Sequence, residues 1–117
     1  MSSSRPIETL MHPDIRNADI LVQIADRLRE RLHATRVIVY GSVARGEATI
    51  HSDIDLLVIA PSTDRTFQRL VDARMAIADL TFGIPVSPLV LTPEEMTARQ
   101  ANGDAFVREI LNDGVEL

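Results

Sequence analysis

The chain has 117 residues, carries a formal net charge of −5 and contains no cysteine. This length suits one domain that buries roughly two-thirds of the surface its unfolded chain exposes. The absence of cysteine excludes a disulfide framework, a zinc–thiolate site and a thiol nucleophile, and it fits a reducing compartment. The acidic charge, the lack of tryptophan and the single tyrosine argue against broad nucleic-acid binding.

Membrane and export signals are also missing from the sequence. No apolar run reaches the roughly 18 residues that suggest a transmembrane helix. Residues 1–6 lack the apolar core of a signal peptide. We therefore expect a cytoplasmic protein without a membrane segment.

The first part of the chain predicts a lead-in, a helix and a strand. Serines and prolines indicate a loose lead-in over residues 1–14, followed by one domain over residues 15–117. Apolar residues at helical spacing predict a helix over residues 17–32. The short β-branched run at residues 36–40 predicts a strand.

Small residues then mark the boundaries of elements in the middle of the chain. Ser42 suits the N-cap of a short helix that Gly46 closes. Residues 48–52 predict a loop. Residues 53–60 predict a second strand, which alternates at its start and is fully apolar at its end.

The remaining residues predict a helix, a strand and two further helices. A helix is expected over residues 64–80, with an apolar stripe of Phe67, Leu70, Val71, Met75, Ile77 and Ala78 facing the core. The strand at residues 84–91 contains two prolines, which remove ladder donors and indicate a sheet edge or a bulge.

The two C-terminal helices carry strong start and stop signals. Thr92 predicts an N-cap, with a proline and two glutamates after it. Asp104 predicts the cap of a last helix over residues 105–112, which Gly114 closes. The element order α-β-α-β-α-β-α-α predicts an α/β sandwich with a small sheet and helices on at least one face.

Gly41 and Ser42 form a candidate phosphate site. A strand that ends in glycine and opens a helix presents free backbone N–H groups, which suit phosphate oxygens. Gly41 lets the backbone approach closely, and the Ser42 hydroxyl adds a donor. The alternative is an ordinary capped turn between a strand and a helix.

Asp53 and Asp55 form a candidate metal site. Alternate residues on a strand share a face, so the two carboxylates project together while Ile54 points into the core. Neighbouring carboxylates repel unless a cation or solvent is present, and magnesium suits carboxylate and phosphate oxygens. The alternative is a solvated strand start in which Ser52 and Asp53 cap a turn.

The two motifs together carry a family resemblance. Gly41-Ser42, ten intervening residues and Asp53-Ile54-Asp55 resemble the signature of the DNA polymerase beta-like nucleotidyltransferase superfamily. The small size of the chain resembles the minimal nucleotidyltransferase branch. The resemblance implies a small mixed α/β sheet with helices packed on it. It also implies transfer of a nucleoside monophosphate from a nucleoside triphosphate, with ATP expected, to a hydroxyl acceptor.

The resemblance also implies roles for individual residues. Gly41 and Ser42 would hold the triphosphate, and Asp53 and Asp55 would bind Mg²⁺ or Mn²⁺ and serve catalysis. Arg45 lies one helical turn after Ser42, where a guanidinium can reach the triphosphate. The alternative for Arg45 is a salt bridge that holds the loop, with Glu47 or Asp53 as its partner.

One position departs from the family pattern. The superfamily typically carries a third carboxylate on a later strand, and the expected position here is Ser87. A remote acid, with Glu94, Glu95 and Asp79 as candidates, can substitute. Water or the acceptor can instead complete the site in a slow or partner-dependent enzyme. In the third interpretation, the site binds nucleotide or metal with little chemistry.

The resemblance further implies a partner. Minimal nucleotidyltransferases act as antitoxins beside small helical HEPN-type toxin proteins, which they can adenylylate. A catalytically weak or inactive module that neutralises its partner by complex formation is the alternative. Nucleotidylation of a small molecule is a weaker hypothesis, since such enzymes generally add a domain that holds the acceptor. A second copy of the chain in a homo-oligomer can supply that acceptor-binding surface instead.

Overall fold

The computed structural model of the chain describes residues 5–6, 15–47 and 52–117. Most of the predicted lead-in and residues 48–51 of the predicted loop lie outside these residues. The elements in chain order are β1 (Arg5–Pro6), α1 (Ile15–Leu32), β2 (Arg36–Tyr40), α2 (Gly41–Ala44), β3 (Ile54–Ile59), α3 (Thr66–Ile77), β4 (Val86–Leu91), α4 (Pro93–Ala101), α5 (Ala105–Asp113) and β5 (Val115–Glu116).

The strands form one mixed sheet in the order β1-β5-β2-β3-β4. β2 and β3 are antiparallel and pair Tyr40 with Asp55. β3 and β4 are parallel and pair Asp55 with Ser87. The end of β2 and the starts of β3 and β4 therefore meet at one edge of the sheet, and the predicted motifs lie there.

Helices cover both faces of the sheet. Val37 and Val39 of β2 pack with Leu21, Ile24 and Leu28 of α1 in one buried cluster. Ile38 of β2 points the other way and packs with Met96, Val107 and Ile110 of α4 and α5. Strands buried on both faces need apolar residues at successive positions, which explains the apolar runs at residues 37–39 of β2 and 56–59 of β3. The predicted α/β architecture is confirmed.

The predicted position of β4 is also confirmed. β4 pairs with β3 on one side only and is the outermost strand of the sheet. Pro88 is tolerated because an outermost strand has one side that needs no ladder donors.

No helix among the described residues is long and apolar enough to span a membrane.

The predicted core stripe of α3 is wrong. Phe67 is 75% exposed and Met75 is 70% exposed, whereas the buried face of α3 consists of Ala73, Ala76 and Ile77. Ile77 is the one residue that the predicted and observed buried faces share. Two alanines let the helix lie close to its neighbours, so small residues and not the largest apolar ones face the core.

The helix ends near the C-terminus agree with prediction. Thr92 and Glu95 form a reciprocal capping box at the start of α4. Asp104 accepts a hydrogen bond from the Val107 N–H at the start of α5, and Gly114 caps the end of α5. The two-residue strands β1 and β5 were not predicted, because strands this short carry no periodic pattern.

Candidate active site

The two aspartates lie where the sequence predicts, at the start of β3. Ile54 between them is 3% exposed and belongs to the core, while Asp53 is exposed and Asp55 is half-buried. The Ile54 N–H donates a 2.9 Å hydrogen bond to the Pro85 carbonyl, which ties this strand start to the entry of β4. Both carboxylates therefore stand at the edge of a rigid sheet.

The electrostatics of this edge favour a cation. Partial burial raises the pKa of Asp55, the nearby charge of Asp53 raises it further, and Arg45 lowers it. A carboxylate whose ionisation is opposed by a second carboxylate nearby is stabilised by a hard divalent ion with oxygen ligands. The donor set therefore fits Mg²⁺ or Mn²⁺. Among the described residues, however, no group of three or more acidic, histidine or cysteine side chains is placed to hold a metal ion.

Gly41 lies directly beside the carboxylate of Asp55. Its φ is +75°, and a Cβ built on it would lie 2.6 Å from Asp55 Oδ2. Only glycine combines this backbone conformation with the space that the carboxylate occupies. The structure therefore adds a second reason why position 41 needs a glycine, besides the predicted close approach of a phosphate.

The turn around Ser42 differs from the prediction. The helix α2 begins at Gly41, Tyr40 is its N-cap, and no side chain caps it, so the prediction of Ser42 as N-cap is wrong. Gly41, with its positive φ, already belongs to the helix, which moves Ser42 inside the first turn. The first N–H groups of a helix have no intrahelical acceptor, and they have no side-chain cap here.

Arg45 makes the loop salt bridge that was one of the two interactions predicted for it. Its Nε lies 3.2 Å from Glu47 Oε2, which is the loop salt bridge proposed from sequence. Its charge also lowers the pKa of Asp55. Arg45 is therefore close enough to act on the acidic pair while it is held by its own loop.

Ser87 occupies the position opposite Asp55 in the β3–β4 register. Its hydroxyl donates a long hydrogen bond of 3.4 Å to Asp53 Oδ2. A third polar side chain therefore does face the acidic pair from β4, but it is a neutral hydroxyl.

The remote acids considered as substitutes have other surroundings. Asp79 accepts hydrogen bonds of 2.6 and 3.1 Å from Arg27. Glu95 is held by the capping box and by Arg69 at 2.6 Å. Glu94 and Glu95 follow the C-terminal end of β4, about five strand residues or roughly 16 Å from Ser87. None of these three is brought to the acidic pair.

Two concavities flank the edge. A cleft of about 430 Å³ lies between α3 and the entry to β4, and Asp53, Arg74 and Ser87 are among its lining residues. A smaller one of about 180 Å³ is lined by Tyr40, Gly41 and Arg45 together with residues of α5. The Tyr40 ring packs edge-on against Phe106, with ring centroids 5.7 Å apart.

Two residues near the site were not assigned to it from sequence. Tyr40 neighbours Asp55 across the β2–β3 ladder, and burial followed by the Asp55 charge raises the pKa of its phenol. Arg74 lines the cleft from α3. Its position in the cleft depends on how α3 packs beside β4, and no local sequence signal contains that information.

Comparisons with known proteins identify the family of the chain. Residues 21–117 match the family model described as a nucleotidyltransferase domain. The chain is 33% identical over 72 residues to the Methanocaldococcus jannaschii protein named "Putative protein adenylyltransferase MJ1305", covering 56% of this chain and 47% of that protein. It is 32% identical over 79 residues to "Putative protein adenylyltransferase MJ0604" of the same organism, covering 68% of this chain and 73% of that protein.

A solved structure shows the same fold. The crystal structure of a putative nucleotidyltransferase from Sulfolobus solfataricus aligns with a TM-score of 0.53 at 20% identity, covering 87% of this chain and 79% of that one. The chain spans less than half the length of the first relative and nearly three-quarters of the second.

The family assignment follows from these matches. The chain belongs to the nucleotidyltransferase domain family, and the predicted resemblance to the polymerase beta-like nucleotidyltransferases is confirmed.

Proposed function

We propose that this protein is a divalent-metal-dependent nucleotidyltransferase that moves AMP from ATP to a hydroxyl group of a partner protein. The observation that carries the proposal is the contact between the uncapped Gly41 turn and the Asp55 carboxylate. This contact puts a candidate phosphate site and a candidate metal site side by side.

Each residue of the edge has a task in this proposal. Asp53 and Asp55 hold Mg²⁺ or Mn²⁺, which supplies positive charge to the phosphate oxygens when it is bound. The N–H groups of the Gly41 turn and the Ser42 hydroxyl hold the triphosphate. Arg45 adds a positive charge beside them, because its side chain already acts on Asp55.

The reaction is an in-line displacement at the α-phosphorus. The acceptor oxygen bonds to phosphorus while the bond to the bridging oxygen of the leaving pyrophosphate breaks, and the hydroxyl proton passes to water. In this reaction the residues of the chain mainly position charge.

A protein acceptor is supported by the names of the relatives. Both M. jannaschii proteins are named as protein adenylyltransferases. Within this proposal the acceptor is a small helical HEPN-type toxin protein, as the resemblance implies, and the chain is its antitoxin.

A second candidate function rests on Ser87. Because a neutral hydroxyl faces Asp53 and no third acid joins the pair among the described residues, the chain can bind nucleotide with slow turnover or none. In this alternative it acts as an antitoxin by complex formation alone.

Labelled ATP distinguishes the two functions. The wild type, the double variant Asp53→Asn with Asp55→Asn, and the control Asp64→Asn are each incubated with α-labelled ATP, MgCl₂ and the product of the neighbouring gene. Asp64 is an exposed aspartate on the loop before α3, away from the edge. We expect label on the partner with wild type and control, and none with the double variant.

Two other results would contradict the proposed transferase activity. Label that persists at wild-type level in the double variant rules out the proposed metal site. ATP and Mg²⁺ binding by calorimetry without any transfer establishes the binding module instead.

A further inference from the structure

The cleft between α3 and the entry to β4 lies beside the acidic pair and has no task in the reaction described above. It measures about 430 Å³, within the range of ligand pockets, and Asp53 and Ser87 form one end of it. Arg74 of α3 lines the same cleft. The inference drawn from it rests on the proposed function.

Arg74 differs from the arginines that serve the fold. Arg27 and Arg69, which also pack around α3, each bind a carboxylate at 2.6 Å. Arg74 is exposed, and within the described residues it makes no hydrogen bond or ion pair. A guanidinium in a cleft that no carboxylate of the described residues binds is available to an anionic ligand.

The order of the strands decides which substrate meets this cleft. Gly41 follows β2 on one side of β3, and Ser87 belongs to β4 on the other side. An in-line displacement places the attacking oxygen opposite the leaving pyrophosphate. With the phosphates at the Gly41 turn, the acceptor enters from the β4 side, where the cleft lies.

The rim of the cleft indicates the size of the acceptor. Phe82 is 93% exposed in the turn between Thr81 and Ile84, and both of these neighbours line the cleft. A small molecule inside the cleft leaves this ring in water, whereas a protein segment that crosses the rim covers it. Exposed aromatic residues of this kind anchor protein interfaces.

We propose that the α3–β4 cleft is the acceptor subsite, and that Arg74 selects an acceptor hydroxyl carried by a protein segment with an acidic residue beside it. Phe82 packs against the same segment. Arg74 is thus a specificity-determining residue that binds the carboxylate next to the modified hydroxyl, while the nucleotide occupies the opposite side of the acidic pair.

The test uses two short peptides that contain one serine, flanked by glutamates in one and by lysines in the other. Binding to the ¹⁵N-labelled full chain with ATP and MgCl₂ is followed by NMR shifts of the cleft residues Thr81 and Ile84. We expect the wild type to bind the glutamate peptide about tenfold more tightly, the scale of one partly exposed charge-assisted contact.

Charge variants of α3 give the matched comparison. Arg74→Gln is expected to lose the preference, and Arg74→Glu to reverse it towards the lysine peptide. Arg65→Gln removes the same charge from an exposed residue just before α3 that does not line the cleft, and it should keep the preference. Phe82→Ser should weaken both peptides equally.

Three results overturn the inference: no binding of either peptide, a preference that survives in Arg74→Gln, or a loss of ATP affinity in Arg74→Gln with peptide binding unchanged. The last result would assign Arg74 to the nucleotide. AMP transfer to the bound peptide is measured in the same samples. A preference that depends on Arg74 without any transfer upholds the acceptor subsite and refutes the proposed transferase activity instead.

Discussion

The Cα of Gly41 faces the carboxylate of Asp55, and a Cβ at Gly41 would stand 2.6 Å from Asp55 Oδ2. Real Cβ atoms do not approach an oxygen this closely, so the two positions constrain each other. The turn after β2 and the start of β3 are thereby held together across the antiparallel ladder that pairs Tyr40 with Asp55.

Gly41→Ala is therefore expected to destabilise the fold in two ways. Its positive φ costs roughly 1–2 kcal/mol for a residue with a Cβ, and the contact with Asp55 adds overpacking of about 1–3 kcal/mol. Gly46→Ala is the matched control, because Gly46 has φ +72° with no atom within 4 Å of an added Cβ. Urea unfolding measures both variants.

The contact component can be isolated by a double variant. Adding Asp55→Ala to Gly41→Ala should recover the overpacking component and leave the backbone strain. Equal losses in Gly41→Ala and Gly46→Ala would show that the carboxylate gives way without cost.

Magnesium should stabilise the wild type through the acidic pair. A ligand that binds only the folded state adds about 2.7 kcal/mol at a hundred times its Kd. We expect ATP with MgCl₂ to raise Tm by several degrees in the wild type and not in Asp55→Asn, whereas Asp64→Asn should respond as the wild type does. An unchanged shift in Asp55→Asn would place the metal elsewhere.

Ser87→Asp tests whether a third carboxylate completes the site. Without metal, the new charge stands beside Asp53 and should lower Tm through repulsion, since Ser87 Oγ lies 3.4 Å from Asp53 Oδ2. With MgCl₂, an additional anionic ligand should tighten metal binding on the order of tenfold. Thermal melts over a magnesium series measure both effects, and Ser87→Ala controls for the lost hydroxyl.

The same Ser87→Asp variant separates the two proposed functions. A faster transfer rate would mean that the serine limits an active enzyme. Tighter metal binding without any transfer would favour the binding module.

Glu95 should make stability depend on pH. The backbone hydrogen bond from Thr92, followed by the interaction with Arg69, lowers the pKa of Glu95 below its usual value. A lowered folded-state pKa contributes stability above the unfolded value of about 4.3, and this contribution is lost as pH falls through the folded pKa.

Glu95→Gln keeps a capping-box side chain but loses the charge that binds Arg69. It should cost about 0.5 kcal/mol at pH 7, because the pair is partly exposed, and the difference from wild type should vanish in acid. Glu94→Gln, an exposed neighbour in the same turn, is the control. Urea unfolding at several pH values provides the measurement, and a difference that stays constant into acid would contradict the assignment.

Local sequence features predicted the elements with strong signals. The β-branched run of β2 gave its bounds without error, and Thr92 and Asp104 marked the starts of α4 and α5. Helix capping and strand alternation depend on residues only a few positions apart, so a short segment of sequence is enough to predict them. The turn at Ser42 was misassigned because the positive φ of Gly41 depends on the neighbouring strand.

The buried face of α3 could not be inferred from apolar content. Phe67 and Met75 satisfy helical spacing, yet the core accepts Ala73 and Ala76 because the separation of the packed helices limits side-chain volume there. Hydrophobic patterns report which residues can be buried, and packing decides which of them are.

The sequence by itself determined that a glycine–serine turn and two alternating aspartates stand in one chain at a family-typical spacing, and it predicted the α/β layout. The tertiary structure alone decided that Ser87 faces Asp53, that Glu95 and Asp79 bind arginines instead, and that Arg74 enters the cleft beside the acidic pair. The physical reason is that each of these relationships joins residues 19 or more positions apart in the sequence. Strand pairing and helix packing bring them together, and neither is encoded in any single segment of the chain.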